Sequence, residues 1–129
     1  MQKVEQDSLF KFSHPYRLVS KHDFQSVFAK PCKFVGKNLI ILCRPNQKAH
    51  GRLGIIIAKR YVKQAVCRNK VRRVVRESFR HHKEALKGLD IVVLMRSEWA
   101  PQDKQAGKKV LRESIDKLWQ TLISTSNLV

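Results

Sequence analysis

The sequence predicts an α+β fold, with one central four-stranded sheet and helices packed on it. The length of 129 residues suits a single domain spanning 1–129, in which residues 1–16 look loosely ordered. Short apolar runs bounded by Gly or polar turns occur among segments whose apolar residues recur at helical spacing. These observations predict the element order α-β-β-β-α-β-α.

The first helix is predicted over residues 20–29. Ser20 and Asp23 resemble a capping box, with Asp in place of the usual Glu. Three apolar residues follow at helical spacing: Phe24, Val27 and Phe28. Pro31 then ends the helix.

Three strands are predicted next. Residues 32–35 and 38–44 have β character and are separated by Gly36-Lys37. Residues 52–58 form an Ile-rich run that is too short for a helix, which indicates a buried strand.

The rest of the chain predicts a helix over 65–82, a strand over 90–96 and a last helix. Pro101 suits the start of that last helix. Its apolar residues form a stripe that would face the core: Leu111, Ile115, Leu118, Trp119 and Leu122.

The charge is strongly basic, with a formal net charge of +17 and a pI of about 10.4. A protein with this charge is expected to bind a polyanionic partner, either nucleic acid or an anionic membrane. No apolar run approaches the roughly 20 residues of a membrane span, and the first twenty residues lack a signal-peptide stretch.

Cys32, Cys43 and Cys67 have no Cys-x-x-Cys spacing, which indicates buried small residues in a reducing, cytoplasmic setting.

The charge is concentrated over residues 59–80, which hold nine Lys or Arg and one acid, Glu77. On a helical wheel one side of the 65–82 helix carries Cys67, Val71, Val74, Val75 and Ser78. The opposite side carries Asn69, Arg72, Arg73, Arg76 and Arg80, with Arg68 and Lys70 at the borders. Guanidinium groups match phosphate oxygens in pairs, so this face favours phosphate recognition over a merely solvated surface. The apolar side of this helix lacks the Trp and Leu residues that would insert into a membrane, which disfavours membrane binding.

The acidic residues predict no protein active site. A metal-dependent nuclease needs carboxylates that converge on an ion, whereas Asp90 and Glu98 bracket one strand and would lie about 26 Å apart. Glu113 and Asp116 share a helix face, but Arg112 and Lys117 stand at i,i+4 spacing to pair with them. The sequence therefore predicts neither catalytic nor metal-binding residues in the polypeptide.

One long motif in the sequence resembles the motif of a known protein family. Residues 53–60 form a Gly-containing strand and a basic pair, followed by Arg68-Asn69-Lys70-Val71-Arg72-Arg73-Val74-Val75-Arg76. This arrangement resembles the signature of the bacterial ribonuclease P protein family, and the similarity extends over about residues 10–122. Lys70 stands where the family usually has Arg, so the charge is kept while the guanidinium fork is lost.

The resemblance implies a ribosomal S5-like fold and a role as the small subunit of an enzyme whose catalytic part is RNA. That RNA, with bound Mg²⁺, would cleave precursor tRNA to give the mature 5′ end. The implied partners are therefore the catalytic RNA and precursor tRNA, with no membrane and no obligate protein partner.

The resemblance also assigns residues. The residues implied to face RNA are Lys59, Arg60, Arg68, Asn69, Lys70, Arg72, Arg73 and Arg76. A cleft between the first helix and the sheet would hold the single-stranded 5′ leader, with Phe24 and Phe28 as its candidate aromatic residues.

Two other functions share this charge pattern. A structural RNA-binding protein, for instance a ribosomal one, would bind RNA without enhancing cleavage of precursor tRNA. A DNA-binding regulator would place the basic helix in a major groove, but the segment before that helix is a predicted strand rather than a helix-turn-helix partner.

Overall fold

The structure is a computed structural model that describes residues 17, 18, 20–99 and 104–127. The described elements are α1 (Lys21–Ala29), β1 (Cys32–Val35), β2 (Leu39–Pro45), β3 (Arg52–Ile56), α2 (Ala65–His81), β4 (Leu89–Met95) and α3 (Lys104–Asn127). This order confirms the α+β class and the predicted α-β-β-β-α-β-α arrangement. Segment 1–16 and the proposed helix start at Pro101 lie outside the described residues.

Among the described elements, the predicted bounds differ from the observed ones by at most two residues. Strand β3 ends at Ile56 instead of Ala58, because the chain turns immediately afterwards. The Ala58 carbonyl accepts hydrogen bonds from the amides of Tyr61 at 3.0 Å and Val62 at 3.2 Å. These bonds close the turn that leads into α2.

The four strands form one sheet in the order β1-β2-β4-β3. The pairs β1–β2 and β2–β4 are antiparallel, while β3 and β4 are parallel. Parallel neighbours need a crossover connection, and α2 provides it between β3 and β4. The basic helix α2 is therefore itself the crossover connection between β3 and β4.

The main core lies between one face of the sheet and helices α2 and α3. Strand β2 contributes Leu39, Ile41 and Cys43 at alternate positions, as expected for one buried face. The stripe predicted on the last helix is buried here in full: Leu111, Ile115, Leu118, Trp119 and Leu122. Trp119 lies edge-on to Phe79 of α2, with ring centroids 6.1 Å apart.

A smaller core lies on the opposite face under α1. Val27 of α1 packs with Leu18, Leu42 and Val92. The predicted capping box is present: the Asp23 amide donates to Ser20 Oγ at 3.1 Å, and the Ser20 amide donates to Asp23 Oδ2 at 3.4 Å. The two hydrogen bonds fix the start of α1 beside the sheet.

A largely buried ion pair joins β3 to β4, and its arginine also reaches α1. Asp90 of β4 accepts two hydrogen bonds from Arg52 of β3, from Nε at 2.8 Å and from a terminal nitrogen at 2.7 Å. Asn46 donates a third at 2.9 Å, and Arg52 also lies 3.4 Å from the Asp23 carboxylate of α1. These three hydrogen bonds give the Asp90 carboxylate a structural role.

The prediction of buried cysteines is confirmed for Cys43 and wrong for Cys32. Cys43 is buried and Cys67 is half-buried, but Cys32 is exposed. The difference arises because Cys32 lies on β1, an edge strand of the sheet. In the part of the chain that the structure describes, no helix is long and apolar enough to cross a membrane.

Candidate nucleic-acid interface

Helix α2 is anchored by its apolar side. Val71, Val74, Val75, Ser78 and Phe79 are buried. The wheel therefore predicted the inward side correctly, except that Cys67 is half-buried and Phe79 was omitted. At its far end the Trp119 indole N–H donates to Ser78 Oγ at 2.8 Å, and the Ser78 hydroxyl donates to Asp116. These contacts hold the basic side of α2 in a fixed orientation.

A cleft of about 190 Å³ opens between α1, β3 and α2. Its walls combine apolar and cationic side chains on three separate segments of the chain. They are Arg17, Leu18, Phe24, Leu53, Gly54, Ile55, Arg72 and Arg76. The cleft therefore places an aromatic ring beside three guanidinium groups.

Gly54 allows the Phe24 ring to approach the sheet. A Cβ atom built on Gly54 would lie 2.5 Å from one carbon of that ring and 2.7 Å from another. Real Cβ atoms do not approach so closely, so any side chain here would displace Phe24. This contact explains why a Gly stands inside the Ile-rich strand.

The three arginines in the cleft repel one another. Partial desolvation lowers the pKa of Arg76, and the charges of Arg72 and Arg17 lower it further. Arg72 and Arg76 stand one turn apart on α2, while Arg17 joins β3 through a parallel bridge to Leu53. An anion bound between these groups would relieve their repulsion.

The predicted basic face divides into two parts. Arg72, which is half-buried, and Arg76, which is exposed, line the cleft. The exposed residues Asn69, Arg73 and Arg80 are not among its lining residues, and Lys70 is half-buried at the border. One helix thus presents cations both to the cleft and to the surface outside it.

The remaining predicted basic residues are Lys59 and Arg60 in the turn before α2, and Arg68 near the start of α2. Lys59 and Arg60 are exposed, and the Arg60 guanidinium lies 4.8 Å above the centre of the Tyr61 ring. Arg68 donates from one terminal nitrogen to the carbonyls of Val62 at 3.0 Å and Lys63 at 2.8 Å. Arg68 therefore holds this turn against α2, a contact that the sequence analysis missed.

The two candidate aromatic residues occupy different settings. Phe24 is half-buried and lines the cleft. Phe28 lies one turn further along α1, has 43% of its surface exposed and is not among the lining residues. The structure brings together Phe24, Arg72 and Arg76 from the predicted set, and it adds Arg17, Leu18 and Ile55.

Asp116 of the last helix takes part in an ion pair. Arg112 Nε lies 3.1 Å from Asp116 Oδ1, which confirms the predicted i,i+4 pair. Within the described ranges, His, Cys, Asp and Glu side chains form no group of three or more that could hold a metal ion.

The chain is similar to known proteins along most of its length. Residues 12–123 match the family model for Ribonuclease P. A relative from Pseudomonas paraeruginosa, named ribonuclease P protein component, is 40% identical over 113 residues, which make up 87% of this chain and 81% of the relative.

Solved structures are similar in fold. A Staphylococcus aureus RNase P protein, a mutant with defective mRNA degradation activity, superposes with a TM-score of 0.74 at 25% identity, covering 95% of this chain and 98% of that one. The RNase P protein from Thermotoga maritima gives a TM-score of 0.60 at 29% identity, covering 88% and 96% respectively.

Proposed function

The chain belongs to the ribonuclease P protein family, and from that premise we propose that it binds the catalytic RNA and assists removal of the 5′ leader from precursor tRNA. Membership implies a part in tRNA processing within an endoribonuclease ribonucleoprotein that has an RNA partner. In the proposal the RNA supplies the active site and carries most of the Mg²⁺. The protein would act in the cytoplasm, bound to the catalytic RNA and to precursor tRNA.

The observation that carries the proposal is the composition of the cleft. Phe24 lies beside the guanidinium groups of Arg17, Arg72 and Arg76. Proteins hold single-stranded RNA by combining a cationic groove with aromatic faces on which bases stack. The cleft therefore suits one or two nucleotides of a single-stranded leader.

The outward part of the basic helix suits a second RNA segment. Arg73 and Arg80 are exposed on α2, and Lys59 and Arg60 extend the positive surface at the preceding turn. Arginine forks bind phosphate oxygens in pairs and release counterions on binding. In the proposal this surface contacts the catalytic RNA while the cleft holds the leader of the substrate.

The chemistry proposed for the protein is electrostatic. Cleavage brings the phosphates of two RNAs close together, and their repulsion must be screened. When bound, Mg²⁺ supplies that screening and promotes attack of water on the scissile phosphate. The arginines of the cleft and of the outer surface would lower the Mg²⁺ concentration required by neutralising neighbouring phosphates.

Replacing Phe24 with leucine is expected to reduce the preference for substrate that carries a leader by about fivefold. Base stacking on an aromatic side chain contributes about 1–3 kcal/mol, and leucine keeps part of the apolar contact. The measurement compares the affinity of the reconstituted enzyme for precursor tRNA and for mature tRNA.

Phe28→Leu is the matched control, because Phe28 lies on the same helix outside the cleft. It should change the preference less than Phe24→Leu does. If Phe24→Leu weakened binding of precursor and mature tRNA equally, its effect would be on packing and the leader assignment would be wrong.

The proposal is tested by adding the protein to the catalytic RNA of a bacterial ribonuclease P at low Mg²⁺. The RNA alone should cleave precursor tRNA slowly there, and the protein should restore rapid cleavage. Tight RNA binding without restored cleavage, also with the cognate RNA, would contradict the proposal and favour a structural RNA-binding protein. Preference for duplex DNA over structured RNA would favour a DNA-binding regulator instead.

A further inference from the structure

Two cysteines face each other across the β1–β2 hairpin. Cys32 of β1 is the direct antiparallel partner of Cys43 of β2. The Gly36 amide donates to the Leu39 carbonyl at 2.7 Å, which closes the hairpin with a hydrogen-bonded pair. Because such pairs alternate along an antiparallel ladder, Cys32 and Cys43 also occupy a hydrogen-bonded position.

This position brings the two residues within the reach of a disulfide. The Cα atoms of hydrogen-bonded antiparallel partners lie about 5.5 Å apart. Disulfides join residues whose Cα atoms are about 4.4–6.8 Å apart. Directly opposite side chains also project from the same face of a sheet, so both sulfur atoms lie on one side of the hairpin.

The two thiols differ in environment. Cys43 is 5% exposed and belongs to the main core, whereas Cys32 is exposed on the edge strand. Burial, with a smaller contribution from the adjacent Cys32 thiol, raises the pKa of Cys43 to about 12. At neutral pH Cys43 is therefore a protonated thiol that dissolved reagents reach poorly, and Cys32 is the sulfur that they meet first.

We propose that Cys32 and Cys43 form a redox-sensitive dithiol, a modification site that hydroperoxides convert to an intramolecular disulfide. The Cys32 thiol loses its proton, and its sulfur attacks one oxygen of hydrogen peroxide so that the O–O bond breaks. The departing hydroxide takes up that proton as water, and Cys32 becomes a sulfenic acid. The Cys43 sulfur then attacks the Cys32 sulfur, and the sulfenic hydroxyl leaves with the Cys43 proton as a second water. Two thiols are oxidised by two electrons, and one peroxide is reduced to two waters.

The third cysteine serves as an internal comparison. Cys67 lies on α2, where its thiol is 3.4 Å from the side-chain oxygen of Gln64. Because Cys67 lies in a helix, it has no cross-strand cysteine partner. Peroxide should therefore not bring Cys67 into the disulfide. Cys67→Ser therefore keeps the dithiol intact and serves as the matched variant.

The experiment exposes the folded, reduced chain to hydrogen peroxide and maps its peptides without reduction. Trypsin cuts after Lys33 and Lys37, which separates Cys32 from Cys43 unless a disulfide joins them. We expect a linked peptide pair, loss of two of the three titratable thiols, and reversal by a dithiol reductant. The Cys67→Ser chain should give the same linked pair.

Other products would overturn the proposal. One is a sulfinic or sulfonic acid on Cys32 with Cys43 still a free thiol, because it would show that the second sulfur does not attack. A second is a disulfide between two chains. The Cys32→Ser variant changes an exposed side chain, and under the proposal its Cys43 thiol should survive peroxide treatment that consumes both thiols in the unaltered chain.

Discussion

Replacing Arg72 and Arg76 together with alanine is expected to weaken binding of precursor tRNA to the reconstituted enzyme about 100-fold, because both residues line the cleft proposed for the leader. Each arginine would lose a charge-assisted contact with phosphate, and a tenfold loss per contact corresponds to about 1.4 kcal/mol. The slope of log affinity against log salt should also become shallower by about 1.4–1.8, since each neutralised phosphate contributes about 0.7–0.9. Affinity measured over a series of salt concentrations tests both expectations.

The control removes the same charge elsewhere. Lys109 and Lys117 are exposed on α3, remote from the lining of the cleft, so Lys109→Ala with Lys117→Ala gives the same net charge. This control should lose much less affinity. The arginine variant should still fold. Arg72 repels Arg76 and so helps lower the pKa of Arg76, and replacing both residues removes that repulsion. Unchanged affinity and unchanged salt dependence would mean that these arginines are not an RNA contact.

Replacing Asp90 with alanine is expected to lower the free energy of unfolding by about 3 kcal/mol. Removing one partner of a buried ion pair leaves the other charge without compensation, at a cost of about 3–5 kcal/mol. Arg52 keeps a longer contact with Asp23, which places the loss at the lower end. In a domain of this size the melting temperature should fall by roughly 10 °C. Denaturant and thermal unfolding measure the two quantities.

Glu84→Ala is the comparison for this variant. Its carboxylate pairs with Lys87 at 3.4 Å, but both side chains are largely exposed. Exposed pairs of this kind contribute about 0–1 kcal/mol, so its unfolding should be nearly unchanged. An Asp90→Ala chain as stable as the Glu84→Ala chain would show that the pair between Arg52 and Asp90 does not stabilise the fold.

The elements could be predicted because their signals are local. The Ser20 and Asp23 capping box, Pro31 and the stripe on the last helix each depend on residues within a few turns of one another. The buried side of α2 followed from helical spacing in the same way. What these signals leave open is how the elements pair.

The site was predictable only in part because it is assembled from distant segments. Nothing near Gly54 in the sequence indicates that its neighbour is the Phe24 ring. A helical wheel places Arg72 and Arg73 on one face, yet only Arg72 lines the cleft, since α1 and β3 lie on that flank alone. Arg68 is positioned by two carbonyl oxygens of the preceding turn, which spacing within a helix does not indicate.

The position of β4 in the sheet has a consequence for the order of folding. This strand hydrogen-bonds to both β2 and β3, although it is the last strand in the sequence. Its partners in β2, such as Ile41 opposite Val93, lie roughly 50 residues earlier in the chain. During synthesis the β1–β2 hairpin and β3 therefore present open edges on the ribosome until β4 emerges. The high contact order of this central pairing makes closure of the sheet a late and slow step, and the basic helix reaches its final position only when that step is complete.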